Sequence, residues 1–194
     1  MLGKLRQRYQ NAVAPIGVQL ARIGLSPNSM TLLSAMISLL SAGAYIVERP
    51  IVGAVLILFM GVADMFDGAI ARAIQRVTRF GATLDHVTDR YAEGFILFGM
   101  VLGGHLDWTH GFFAFFGMIM ASFTRAKAES VGGLASCTVG IAERQEKLLL
   151  LIGGSIALTY SPSALNYAAL AVGILSHVTV AQRLRFTWIQ TGGN

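Results

Sequence analysis

The stretch from Asp64 to Asp89 reads DMFDGAIARAIQRVTRFGATLDHVTD. It occupies the facing ends of two apolar segments, at about 51–71 and 84–105, and carries four aspartates and three arginines. A charge inside a membrane span costs roughly 2.5–3.5 kcal/mol on insertion scales, so acids placed there imply a task. Asp64 and Asp67 are three residues apart and Asp85 and Asp89 four apart, so each pair shares one helix face. The turn between them, with Arg72, Arg76 and Arg79, makes the two helices antiparallel neighbours. All four carboxylates then converge at one mouth of a helix bundle, with Glu93 following one turn after Asp89. Two divalent cations would supply the matching positive charge. Hard oxygen donors, with no cysteine among them, favour Mg²⁺ or Mn²⁺ over zinc. The alternative is a set of Asp–Arg ion pairs sealing a helix–helix contact.

Composition agrees with a membrane setting. Of the 194 residues 54% are apolar and only 13% charged, against about 25% charged in soluble domains. The mean hydropathy is +0.61. Six apolar stretches, near 30–47, 51–71, 84–105, 109–125, 146–160 and 164–182, predict six transmembrane helices. Residues 1–26 predict an interfacial amphipathic helix on the cytoplasmic surface. There Lys4, Arg6, Arg8 and Arg22 alternate at near-helical spacing with Leu2, Leu5, Tyr9, Val13, Ile16, Leu20 and Ile23. Ser26-Pro27-Asn28 ends that helix and opens the next. The expected architecture is thus an all-α integral membrane protein forming a single domain over 1–194. Its parts are the arm 1–26, a six-helix bundle 27–183 and a cytoplasmic tail 184–194.

Thirteen of the 15 Lys and Arg residues lie in the arm, in the 72–83 and 125–147 connections, or from Arg183 onward. The positive-inside rule places these segments, both termini and the acidic mouth on the cytoplasmic side of the cell membrane. Scattered over short loops, the cations suit anionic headgroups or an anionic substrate and exclude nucleic acid. Cys137 stands alone, which rules out an intramolecular disulfide.

Written by position, the acidic stretch is Asp64-x2-Asp67-Gly68-x2-Ala71-Arg72-x8-Gly81-x3-Asp85-x3-Asp89. This resembles the full signature of the CDP-alcohol phosphotransferase family, with eight positions met over 26 residues. Pro27-Asn28-x2-Thr31 is similar to that family's entry to its first span, so the resemblance covers nearly the whole chain. It implies that a hydroxyl of a polar alcohol attacks the β-phosphorus of a CDP-linked lipid and releases CMP. It further implies that Asp64, Asp67, Asp85 and Asp89 hold two Mg²⁺ or Mn²⁺ ions and that Asp89 accepts the hydroxyl proton. Pro27, Asn28, Thr31, Gly68, Arg72, Thr78 and Gly81 would line the CDP-lipid site. A homodimer is implied as well. His86 occupies a variable position and reads as a packing or surface residue, His105 and His110 as loop residues, and His177 as a bundle histidine.

The acceptor is read from the end of the fourth span. Ser122-Phe123-Thr124-Arg125-Ala126-Lys127-Ala128-Glu129 offers cations suited to a phosphate, although Arg125 and Lys127 diverge on a helix. With the run Val139 to Lys147, it resembles the members that use inositol 1-phosphate, in bacteria and in archaea. Ser122, Arg125, Lys127 and Arg183 are the expected contacts to the acceptor phosphate, with Arg185 a further cation at the end of the sixth span. The expected donor is CDP-diacylglycerol or CDP-archaeol. Glycerol 3-phosphate is the alternative acceptor. A reading of another class is a small cation transporter or channel that uses the same acids. The basic turn at 72–79 argues against it by placing them near one surface rather than at the midplane.

Overall fold

The computed structural model describes residues 13–75 and 77–192. Among them the chain forms seven helices and no strand. They are α1 (13–22), α2 (Pro27–Ile46), α3 (Pro50–Ala73), α4 (Arg79–Leu102), α5 (Trp108–Ser130), α6 (Arg144–Ala157) and α7 (Ala164–Gln190). The arm residues Leu2 to Tyr9, and Arg76, lie outside the described residues.

Local chemistry sets the helix ends. Ser26 and Ser29 cap α2 reciprocally: the Ser29 amide donates to Ser26 Oγ at 3.1 Å and the Ser26 amide to Ser29 Oγ at 3.0 Å. Pro27 and Pro50 take the first positions of α2 and α3, where a missing N–H costs nothing. Glu48, at φ 58°, turns the chain between those helices. Before α4, Thr78 Oγ1 accepts from the Gly81 amide at 3.0 Å, so the helix begins at Arg79, about a turn earlier than the apolar pattern alone suggests. Asp107 caps α5 by accepting from the Thr109 amide at 2.8 Å and from its hydroxyl. Those two bonds hold the Asp107 carboxyl below the usual carboxylate range. At α6 the Glu143 amide donates to Glu146 Oε2 at 2.9 Å.

Three helices, α2, α3 and α7, are long and apolar enough to cross a bilayer. α2 shows what surrounds it. Its buried side carries Thr31, Ser34, Ser38 and Ser41, while Leu32, Leu33, Met36, Leu39 and Leu40 are exposed. This inverts the pattern of a helix on a water-soluble globule. Two of the buried hydroxyls are satisfied within the helix, with Ser34 donating to the Thr31 carbonyl at 2.8 Å and Ser38 to the Ala35 carbonyl at 2.6 Å. Water would penalise the outward leucines; hydrocarbon does not.

The described residues group into two compact units, those up to 41 with those in 55–96, and 42–54 with those from 97 onward. In the first, Met30, Ala63 and Ile70 form a buried core flanked by Leu20, Ala21, Leu25, Ile37 and Phe66. α1 rests directly on α3, since a Cβ at Gly17 would lie 2.7 Å from the Ala69 backbone. Only glycine permits that approach. In the second unit, Tyr45 is wholly buried and its hydroxyl meets Ser155 Oγ at 2.7 Å. α5 and α7 pack closely there, with the Phe113 ring against Gly173 and Gly117 against Ser176.

Candidate metal and nucleotide-lipid site

The last turns of α3 and the first of α4 bring the acids together. One carboxylate oxygen each from Asp64, Asp67 and Asp85 lie within 4.8 Å of one another. A second group, Asp85, His86 and Asp89, meets the same limit, so Asp85 belongs to both. At that separation each pair of like charges repels by about 3 kcal/mol at an effective dielectric near 20. Asp67 is buried and Asp64 and Asp85 are half-buried, so water relieves little of this. Clustered hard oxygens of this kind fit a divalent cation of the Mg²⁺ or Mn²⁺ type. His86 is exposed, yet its ring reaches the second group. Its spacing of three from Asp89 puts the two on one side of α4, and its exposure agrees with a surface residue.

Around the acids the expected nucleotide-lipid residues take definite places. Thr31, buried, donates its hydroxyl to Asp67 Oδ2 at 2.9 Å and lies 3.2 Å from the Pro27 carbonyl. The structure therefore gives Thr31 the work of orienting a carboxylate. Asn28, Thr78 and Gly81 come together at the start of α4. A Cβ at Gly81 would sit 3.0 Å from Thr78 Oγ1 and 3.4 Å from Asn28 Oδ1. The Arg72 guanidinium folds back over Gly68, with Nη1 3.1 Å from where a Cβ would stand. Glycine keeps both places open beside the acids. Beyond Asp89, Arg90 Nη2 lies 2.7 Å from Glu93 Oε1 and 3.8 Å from Asp89 Oδ2. Glu93 is 1% exposed, so it belongs to the protein interior.

The residues expected to hold the acceptor phosphate lie in the second unit. Ser122 and Arg125 are half-buried on α5. Arg125 Nε donates to Glu129 Oε1 at 3.0 Å, and the same oxygen accepts from the Cys137 amide at 2.9 Å. Lys127 points elsewhere, its Nζ 5.6 Å from the centre of the Phe123 ring. Arg183 is buried, with Nε donating to the Val139 carbonyl at 2.9 Å and Nη1 to the Ala121 carbonyl at 2.6 Å. It ties α7 to α5 and to the segment before α6. Sequence reasoning missed Glu129, although its spacing of four from Arg125 signalled a pair.

Comparison with known proteins gives the site its context. The family model described as CDP-alcohol phosphatidyltransferase matches residues 24–181. The chain is 33% identical over 184 residues to the archaetidylinositol phosphate synthase of Pyrococcus horikoshii, covering 95% of each protein. It is similar to the crystal structure of the Mycobacterium tuberculosis phosphatidylinositol phosphate synthase with CDP-DAG bound. That match has a TM-score of 0.80 and 28% identity, over 91% of this chain and 93% of the other. A structure of the same enzyme in complex with manganese and citrate also gives a TM-score of 0.80, at 29% identity over 91% and 88%. The signature acids gathered on α3 and α4 and a match over most of the chain lead to one conclusion: this protein belongs to the CDP-alcohol phosphatidyltransferase family.

Proposed function

We propose that the protein makes an inositol-phosphate lipid. It transfers the phosphatidyl-type group of a CDP-lipid, CDP-diacylglycerol or CDP-archaeol, to inositol 1-phosphate and releases CMP. The observation that carries this reading is the convergence of Asp64, Asp67 and Asp85 with the linked group Asp85, His86 and Asp89, in a chain whose relatives are named as inositol-phosphate lipid synthases.

Asp64, Asp67, Asp85 and Asp89 hold Mg²⁺ or Mn²⁺, two ions to a site. Bound there, the cations polarise the phosphoryl oxygens and neutralise the charge growing on departing CMP. Thr31 fixes the orientation of Asp67. Pro27, Asn28, Gly68, Arg72, Thr78 and Gly81 border the CDP moiety, the glycines leaving room for it and Arg72 supplying a guanidinium to the diphosphate. The acceptor hydroxyl oxygen bonds to the β-phosphorus while the bond from that phosphorus to the CMP oxygen breaks. The hydroxyl proton passes to the Asp89 carboxylate. Ser122, Arg125, Lys127 and Arg183 receive the acceptor's own phosphate.

This reading includes six membrane-crossing helices, an N-terminal interfacial helix and a homodimer. The basic connections and both termini face the cytoplasm, from which inositol 1-phosphate arrives and into which CMP leaves. An acceptor screen against one CDP-lipid tests it, with inositol 1-phosphate, glycerol 3-phosphate, serine and free inositol compared by CMP release. Inositol 1-phosphate is expected to give the highest kcat/KM. A higher value for glycerol 3-phosphate reassigns the acceptor, and no release with any of them removes the transferase reading.

A further inference from the structure

The segment between α5 and α6, residues 131–143, contains no helix, yet it is pinned at several points. The Cys137 amide is held by Glu129 Oε1 at 2.9 Å, and the Val139 carbonyl by Arg183 Nε at 2.9 Å. Gly140 lies against α7, where a Cβ would meet Thr179 Cγ2 at 2.7 Å. Glu143 closes the segment by entering the α6 cap. Glu129 stands apart among these anchors because one oxygen does two things. The atom that accepts from Cys137 also accepts from Arg125 Nε at 3.0 Å.

An arginine that must meet a phosphate with both arms of its fork is useful only in one orientation. A long side chain left free must be ordered on binding, and that ordering weakens the complex. Arg125 is about two-fifths exposed, so packing alone does not fix it. Glu129 engages it through Nε, and the Nη1–Nη2 edge is a different edge of the same rigid plane, so fixing one fixes the other.

We propose that Glu129 is a positioning residue for the acceptor. It orients the Arg125 guanidinium and, through the same oxygen, fixes the backbone at Cys137. The proposal rests on the assignment of Arg125 to the acceptor phosphate. Glu129 itself does not touch the acceptor, because its negative charge would repel the phosphate.

The test is a mutant cycle in the full-length protein, with KM measured separately for inositol 1-phosphate and for the CDP-lipid. Glu129→Ala is expected to raise the inositol 1-phosphate KM about tenfold or more while the CDP-lipid KM holds and kcat falls less than KM rises. Added to Arg125→Ala, the same change is expected to produce no further rise, because its effect passes through the arginine. Glu129→Gln keeps an oxygen for the Cys137 amide but loses the charge that draws Arg125, and is expected to give a smaller rise. It also serves if Glu129→Ala fails to fold. Additive effects in the double variant, a wild-type acceptor KM in Glu129→Gln, or a parallel rise in the CDP-lipid KM overturns the proposal and leaves the acceptor assignment standing. An unchanged acceptor KM in Arg125→Ala overturns that assignment, and this proposal with it.

Discussion

The hydroxyl of Thr31, on α2, donates to Oδ2 of Asp67, on α3, across 2.9 Å of protein interior. The bond joins two parts of the sequence 36 residues apart and commits one oxygen of the most buried aspartate in the acidic group to a fixed direction. A carboxylate that holds a cation works best when its rotamer is set beforehand by such a neighbour.

Thr31→Val, which keeps the shape and removes the hydroxyl, is therefore expected to weaken metal activation by about 10–100-fold. The check is the Mn²⁺ concentration that gives half-maximal CMP release, with Thr31→Ser as the variant that restores it. An unchanged metal requirement contradicts the orienting role.

Gly81 sits where a side chain would press on Thr78 and Asn28. Gly81→Val is expected to raise the CDP-lipid KM by about tenfold or more, with a smaller effect for Gly81→Ala, since closing a pocket displaces the ligand it positions. Substrate-saturation curves against the CDP-lipid at fixed acceptor measure this directly.

Arg183→Lys is expected to lower thermal stability as well as acceptor binding. A lysine cannot reproduce the two bonds to the Val139 and Ala121 carbonyls. Losing hydrogen bonds from a charged donor costs about 1.5–3 kcal/mol each. Thermal unfolding in detergent reads the first effect and the inositol 1-phosphate KM the second. A variant that loses acceptor affinity at wild-type stability assigns Arg183 to the substrate alone.

Asp89→Asn keeps the size of the group and removes its basicity. It is expected to reduce kcat by at least about 100-fold, the usual range for a lost proton acceptor. Retained turnover at saturating metal contradicts the assignment of the proton to Asp89.

Much of the acidic site is legible in the sequence. Spacings of three and four put each aspartate pair on one helix face, and the basic turn demanded a reversal, so Asp64, Asp67 and Asp85 had to converge. Helix ends were harder to read. α4 begins at Arg79 because the Thr78 hydroxyl caps it, a local bond that the hydropathy of the following residues does not encode. The six apolar stretches match helices in position, but of these only α2, α3 and α7 combine the length and apolarity of a membrane span. α4 carries Asp85, Asp89, Arg90 and Glu93, and α6 has 14 residues.

The side chains of the second unit were least legible. Arg183 bonds to Val139 across 44 positions, and Glu129 shares one oxygen between Arg125 and an amide eight residues on. Neither follows from a helical repeat. Both depend on where a non-helical segment comes to rest. Arg125 and Lys127 behave as their spacing of two implied, one turned to Glu129 and the other over Phe123.

Metal-dependent transfer from a CDP-lipid to inositol 1-phosphate is read out by CMP release from the purified protein. With CDP-lipid, inositol 1-phosphate and Mg²⁺ or Mn²⁺ present, CMP is expected in a one-to-one ratio with an inositol-phosphate lipid. Release is expected to stop when the acceptor is left out or a chelator is added, and to return when the metal is restored. CMP formed at the same rate under chelation, or no CMP from folded protein with every component present, would contradict metal-dependent transfer.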